Sequence, residues 1–131
     1  MRRLLLALVL VSSAGCFEDI QQASTVNGAY SLQSVNGSAL PFTSTSGATT
    51  TITTDDVMTL FQGFTYSETA HRRITTNGVA SDVTVNETGS FLVLGTSMTF
   101  TSSDAKHVRV AIGDGTRMTI IEGANTMVYS K

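Results

Sequence analysis

The chain has 131 residues, room for one domain and little more. With 41% hydrophobic and only 14% charged residues it is too apolar to be a disordered chain, and a net charge of −2 with no basic cluster argues against a nucleic-acid partner. A single cysteine excludes an internal disulfide, and two histidines supply no cluster for structural zinc, so no metal and no cofactor is expected.

Met1-Arg2-Arg3 is a positive start, residues 4–11 are an unbroken apolar run of eight, and Ser12-Ser13-Ala14-Gly15 supplies small residues directly before Cys16. Eight apolar residues fall far short of the roughly 20 that span a bilayer. They fit the h-region of a signal peptide. Ser13-Ala14-Gly15-Cys16 resembles the bacterial lipobox. That resemblance implies cleavage before Cys16 and a thioether from its thiol to diacylglycerol, which makes Cys16 the lipid-attachment residue. The other reading is ordinary secretion with a free thiol. Each buried methylene of an acyl chain adds about 0.8 kcal/mol, so several chains anchor durably. Phe17, not Asp, follows Cys16; by analogy with the enteric sorting rule this points to the outer membrane, facing the periplasm. The expected organisation is a lipoprotein signal peptide over residues 1–15, the lipidated cysteine and a tether over 16–26, and one domain over 27–131. Loss of Arg2 and Arg3 leaves six basic residues against ten acidic ones, a net charge of −4.

From Val26 onward no helical period of useful length occurs. Short β-branched and aromatic runs alternate with Gly, Asn, Asp and Ser. The 21 threonines suit strands, where β-branched side chains pack on the pleat. Tyr30 and Leu32 share a face of the first strand, and Asn36-Gly37 marks a turn. Residues 43–54 hold nine Ser/Thr in twelve and read as an edge or loop leading into a strand with Val57, Met58 and Leu60.

Asn77-Gly78 is the strongest local signal, because a type I′ turn needs positive φ at both central residues. A two-residue loop fixes the pairing so that partner numbers sum to 155. Arg73 then faces Asp82 on a polar side, and Tyr66, Glu68, Ala70, Arg72 and Ile74 face Gly89, Glu87, Val85, Val83 and Ser81 on a mostly apolar side that should point inward. Phe91 and Val93, then Met98 and Phe100, share faces. Val108, Val110 and Ile112 read as an inward apolar stripe, which sends Arg109 outward. Met118 with Ile120 and Met127 with Tyr129 complete about eight strands. With no helix to cover an open sheet, closure removes the exposed edges. The expected fold class is all-β, a small antiparallel up-and-down barrel of about eight strands; a two-sheet sandwich is the alternative.

The run Gly28-Ala29-Tyr30-Ser31-Leu32-Gln33-Ser34-Val35-Asn36-Gly37 with Leu40-Pro41, then Gly89-Ser90-Phe91, Met98-Thr99-Phe100-Thr101 and Met127-Val128-Tyr129-Ser130-Lys131, resembles small lipocalin-like lipoproteins of bacterial envelopes. Tyr30 stands where lipocalins carry the tryptophan of Gly-x-Trp. The resemblance implies a small antiparallel barrel and permits ligand binding.

Glu68 and Glu87 are the sharpest site candidates, because the register sets two like charges opposite each other on the inward face, where burial adds a desolvation cost. Either one carboxyl stays protonated, or a cation or basic ligand sits between them, or Arg72 neutralises them together with another base, or both lie in water at the barrel mouth. Tyr30, Tyr66 and Tyr129 join them as ligand-binding candidates, each offering apolar area and a hydroxyl. Alternation sends His71 and His107 to outward faces. No Gly-x-Ser-x-Gly elbow, phosphate loop or nucleophile–base pair occurs, so no catalytic residue is assigned and no enzyme is expected. The functional expectation is a membrane-anchored envelope lipoprotein whose barrel binds a small, apolar ligand. The alternative is a protein-interaction module, such as a hydrolase inhibitor or an envelope assembly factor.

Overall fold

The computed structural model describes residues 23–131. The expected signal peptide and the lipid-attachment residue Cys16 lie outside the described residues. One helical turn, α1 (Ala23–Val26), precedes ten strands: β1 (Gly28–Val35), β2 (Ser38–Ala39), β3 (Phe42–Ser46), β4 (Thr49–Leu60), β5 (Thr65–Thr76), β6 (Val79–Leu94), β7 (Ser97–Ser102), β8 (Val108–Gly113), β9 (Arg117–Glu122) and β10 (Asn125–Ser130). Every pairing is antiparallel. The sheet runs β1-β10-β9-β8-β7-β6-β5-β4, and β4 returns to β1 through Tyr30↔Met58 and its neighbours. Eight strands therefore close into a barrel, the expected architecture. β2 and β3 are extra, an excursion between the first two barrel strands.

Asn77 and Gly78 have φ of 52° and 81°, the two positive values a type I′ turn requires. The β5–β6 register follows from that turn: Thr76↔Val79, Arg73↔Asp82, Glu68↔Glu87 and Tyr66↔Gly89 are all partners. The hydroxyl-rich residues 43–54 form the β3–β4 hairpin at a sheet edge. β6 pairs with β7 only from Gly89 onward. The first half of β6, the matching part of β5 and the β3–β4 hairpin thus run past the barrel as a flap that walls one side of its mouth.

The other end is filled. Tyr30, Met58, Phe100, Ala111, Met118, Ile120 and Tyr129 have no exposed surface. Tyr66 meets Phe100 edge-on at 5.3 Å between ring centres, and Phe91 lies 5.8 Å from Phe100. Such interiors alternate large and small residues. A side chain added at Gly89 would meet the Thr101 carbonyl oxygen at 2.1 Å and the Tyr66 ring at 2.6 Å; one at Gly113 would meet the Met98 methyl group at 2.8 Å. The Tyr30 hydroxyl shares its proton between the Val26 and Gly115 carbonyls at 2.6 and 3.0 Å. It thereby ties the entering chain to the β8–β9 turn, and Val26 is itself buried.

β8 faces opposite to the sequence expectation. Val108, Val110 and Ile112 are 64%, 50% and 61% exposed on the outer wall, while Arg109 and Ala111 point in. Two constraints reverse it. Ala111 pairs with Met98 on one side and Ile120 on the other, where the filled interior leaves room only for a small side chain. Arg109 reaches the two glutamates, as described next.

Candidate binding site at the barrel mouth

The hairpin register delivers Glu68 and Glu87 side by side, and β8 supplies the base that neutralises them. Arg109 Nη1 donates to Glu68 Oε1 at 3.1 Å, Nη2 donates to Glu68 Oε2, and Nη2 also donates to Glu87 Oε1 at 2.6 Å. Arg109 is 6% exposed, and its guanidinium carbon sits 5.9 Å from the Tyr66 ring centre. The sequence named Arg72 with an unspecified second base; the clamp is Arg109. The fork geometry of guanidinium makes this pairing bidentate to Glu68, which a lysine would not reproduce. Burial opposes the charge on Arg109, but the two carboxylates outweigh it and raise its pKa.

Glu87 has three partners. Besides Arg109 it accepts from the Tyr66 hydroxyl at 2.6 Å, and its Oε2 lies 2.9 Å from His107 Nδ1. Burial pushes its pKa up, yet the bonds from Tyr66 and His107 and the Arg109 charge together hold it below the ordinary 4.5. His107 gains correspondingly: the Glu87 bond raises its pKa above 6.5. His107, expected outward beside Arg109, is exposed at the rim but shares the inward parity of Arg109 and closes the network there. His71 is likewise exposed and pairs with Asp55 at 2.6 Å on the flap.

Asp56 is the residue that sequence reasoning missed. It is 3% exposed and accepts from the Tyr129 hydroxyl at 3.1 Å through Oδ2; its Oδ1 is buried with no hydrogen-bond partner. Burial first, and then the neighbouring Glu68 carboxylate, push its pKa up from 3.8 to about 7, against the pull of Tyr129 and Arg72. Counting back by twos from Leu60 and Met58 reaches Asp56, so period-two alternation was a signal that could have found it.

Two connected spaces open here. A cavity of about 130 Å³ is lined by Asp56, Glu68, Arg72, Glu87, His107 and Arg109 among others. Above it, against the flap, lies a wider one of about 350 Å³, with Leu32, Val35, Phe42 and Met127 as apolar walls and Ser44, Thr51 and Thr53 as hydroxyls. Asp56, Arg72, Glu122 and Met127 line both. Arg72 Nε is buried without a hydrogen-bond partner, and no carboxylate among the described residues lies within ion-pair distance of it. Of the candidates read from the sequence, Glu68, Glu87, Arg72, Tyr66 and Tyr129 therefore converge on the mouth. Tyr66 and Tyr129 do so through their hydroxyls, with their rings in the core. Burial, followed by Glu87, lifts the Tyr66 pKa to about 12, and burial and Asp56 raise that of Tyr129. Tyr30 lies apart, at the filled end; burial, with Asp114 adding, lifts its pKa to about 12.

Among the described residues no group of three His, Cys, Asp or Glu side chains is arranged to hold a metal ion. No described helix is long and apolar enough to cross a membrane. The chain matches no protein-family model and no curated protein sequence.

Proposed function

We propose that the protein is a lipid-anchored binding barrel of the bacterial envelope, held at the outer membrane through Cys16, and that its mouth takes a small amphipathic anion. The unpaired guanidinium of Arg72, set among Leu32, Val35, Phe42 and Met127, carries this reading. Among the described residues, side chains fill the end of the barrel away from the mouth. The mouth offers an apolar wall, hydroxyls and one unspent cation, and its 350 Å³ falls at the small end of ligand sites. The charges fit as well. Arg109 answers Glu68 and Glu87 together, which leaves Arg72 as a lining cation with no carboxylate within ion-pair distance among the described residues. No catalysis enters the reading, because both glutamates are clamped by Arg109 instead of facing a substrate.

Calorimetric titration of the purified mature protein with octanoate, octylamine and octanol tests this. Octanoate binding that Arg72→Gln abolishes is the expected result. Equal binding of all three ligands, or no binding of any, would overturn it. Native mass spectrometry with envelope extract then asks which carboxylate or other anion is retained.

A further inference from the structure

The outer wall of β6 to β9 is unlike the rest of the surface. Leu92, Leu94, Val108, Val110, Ile112 and Ile121 are each at least half exposed. The pairings set them side by side. Leu92, Thr99, Val110 and Ile121 form one row across the four strands, and Leu94, Ser97, Ile112 and Thr119 form the next. Alternation puts Arg117 on this same face, and no carboxylate alternates outward on β7, β8 or β9 or over the last seven residues of β6. Monomeric soluble proteins rarely leave an apolar patch of this extent uncovered.

We propose that this wall lies on a lipid bilayer surface. Three observations favour lipid over a protein. The patch is aliphatic, without the Trp or Tyr anchors common in protein interfaces, and Arg117 is the one charged side chain that alternates onto its face. Six apolar side chains on a convex wall fall well short of the roughly 20–30 residues a side that a stable dimer uses. And the chain enters beside the patch. Thr25 packs against Gly115 in the turn that follows Ile112, with the Lys131 ammonium donating to the Thr25 carbonyl. Cys16 is seven residues before Ala23, a reach of at most about 25 Å. A lipid on Cys16 would keep Ala23 within that distance of the bilayer, at the end of the barrel where the β8–β9 turn meets the patch. The inference rests on the anchored reading for its choice of surface; the contact itself needs no acyl chain.

Residues 16–131 carrying Cys16→Ser, folded by circular dichroism, are floated with vesicles of phosphatidylethanolamine and phosphatidylglycerol. Flotation at least tenfold weaker in Leu94→Asn/Ile112→Asn is expected, with no change for Val79→Ser, an exposed apolar residue at the flap tip. The chain has no tryptophan, so Ile112→Trp reports alone: its emission should shift to the blue on vesicles, while Val79→Trp at the flap tip should not. No flotation of the parent protein overturns the inference. So does equal loss with Val79→Ser, or a dimer in sedimentation equilibrium that the double variant dissociates, which would make the occupant a second copy. The mass of the Cys16 peptide from cells tests anchoring separately, and an unmodified thiol would sink the anchor without touching the flotation result.

Discussion

Arg109→Met removes the one buried cation that two facing carboxylates share. Methionine keeps much of the volume, so the loss is electrostatic. Removing one partner of a buried ion pair costs about 3–5 kcal/mol, because the other charge stays buried and uncompensated. The Glu68 side chain, 10% exposed, feels nearly all of this, whereas Glu87, 20% exposed, keeps its bonds to Tyr66 and His107. The expected loss is about 3 kcal/mol, which in a domain of this size lowers Tm by about 10–20 °C. Urea unfolding at pH 7, followed by circular dichroism, measures it. The triple variant Arg109→Met/Glu68→Gln/Glu87→Gln should recover most of the loss, since no stranded charge remains. A loss under about 1 kcal/mol, or no recovery in the triple variant, would refute the clamp.

Asp56→Asn should stabilise the domain at pH 8 and change little at pH 4. The folded-state pKa is raised, so the folded protein holds this proton more tightly; stability falls as pH rises from 3.8 to about 7, and the full penalty applies above that. Removing it gains on the order of 3–4 kcal/mol at pH 8, read from urea midpoints across pH. Glu87 runs the other way. Its pKa is lowered, so its contribution is present above 4.5 and lost as pH falls through the depressed value, and Glu87→Gln should flatten the acid limb of the stability profile. Gly89→Ala should cost about 2 kcal/mol or more, because the new methyl group meets the Thr101 carbonyl and the Tyr66 ring; thermal melts check it. Octanoate affinity should strengthen as pH falls through about 7, where Asp56 becomes neutral and stops repelling an anion held by Arg72; titrations at pH 6 and pH 8 in wild type and Asp56→Asn, which should lack that step, decide it.

The β5–β6 hairpin was legible because its turn is chemically specific: Asn77-Gly78 admits one loop geometry, and a two-residue loop leaves one register. The opposition of Glu68 and Glu87 followed from that alone. β8 was not legible because its alternation is equally clean both ways, with Val108, Val110 and Ile112 on one face and Arg109 and Ala111 on the other. Hydrophobicity favours burying the larger set. What decides is three-dimensional. The interior is already full of Met98, Met118, Ile120 and Phe100, so Ala111 fits where a valine would not, and two carboxylates wait for Arg109. Neither fact is local to residues 108–113. The closure of β4 on β1 was implied by the absence of helices, but the β2–β3 excursion between them carried only weak signals: Asn36-Gly37 and the hydroxyl-rich edge.

Both the mouth network and the apolar outer wall depend on which way β8 faces. Thiol labelling of Val110→Cys and Ala111→Cys, each in a Cys16→Ser background, measures that directly. Rapid modification of Val110→Cys in the folded protein, with Ala111→Cys protected until urea unfolds it, is the expected result. Protection at position 110 together with ready labelling at 111 would contradict it, turning Arg109 out of the barrel and the aliphatic wall into its core.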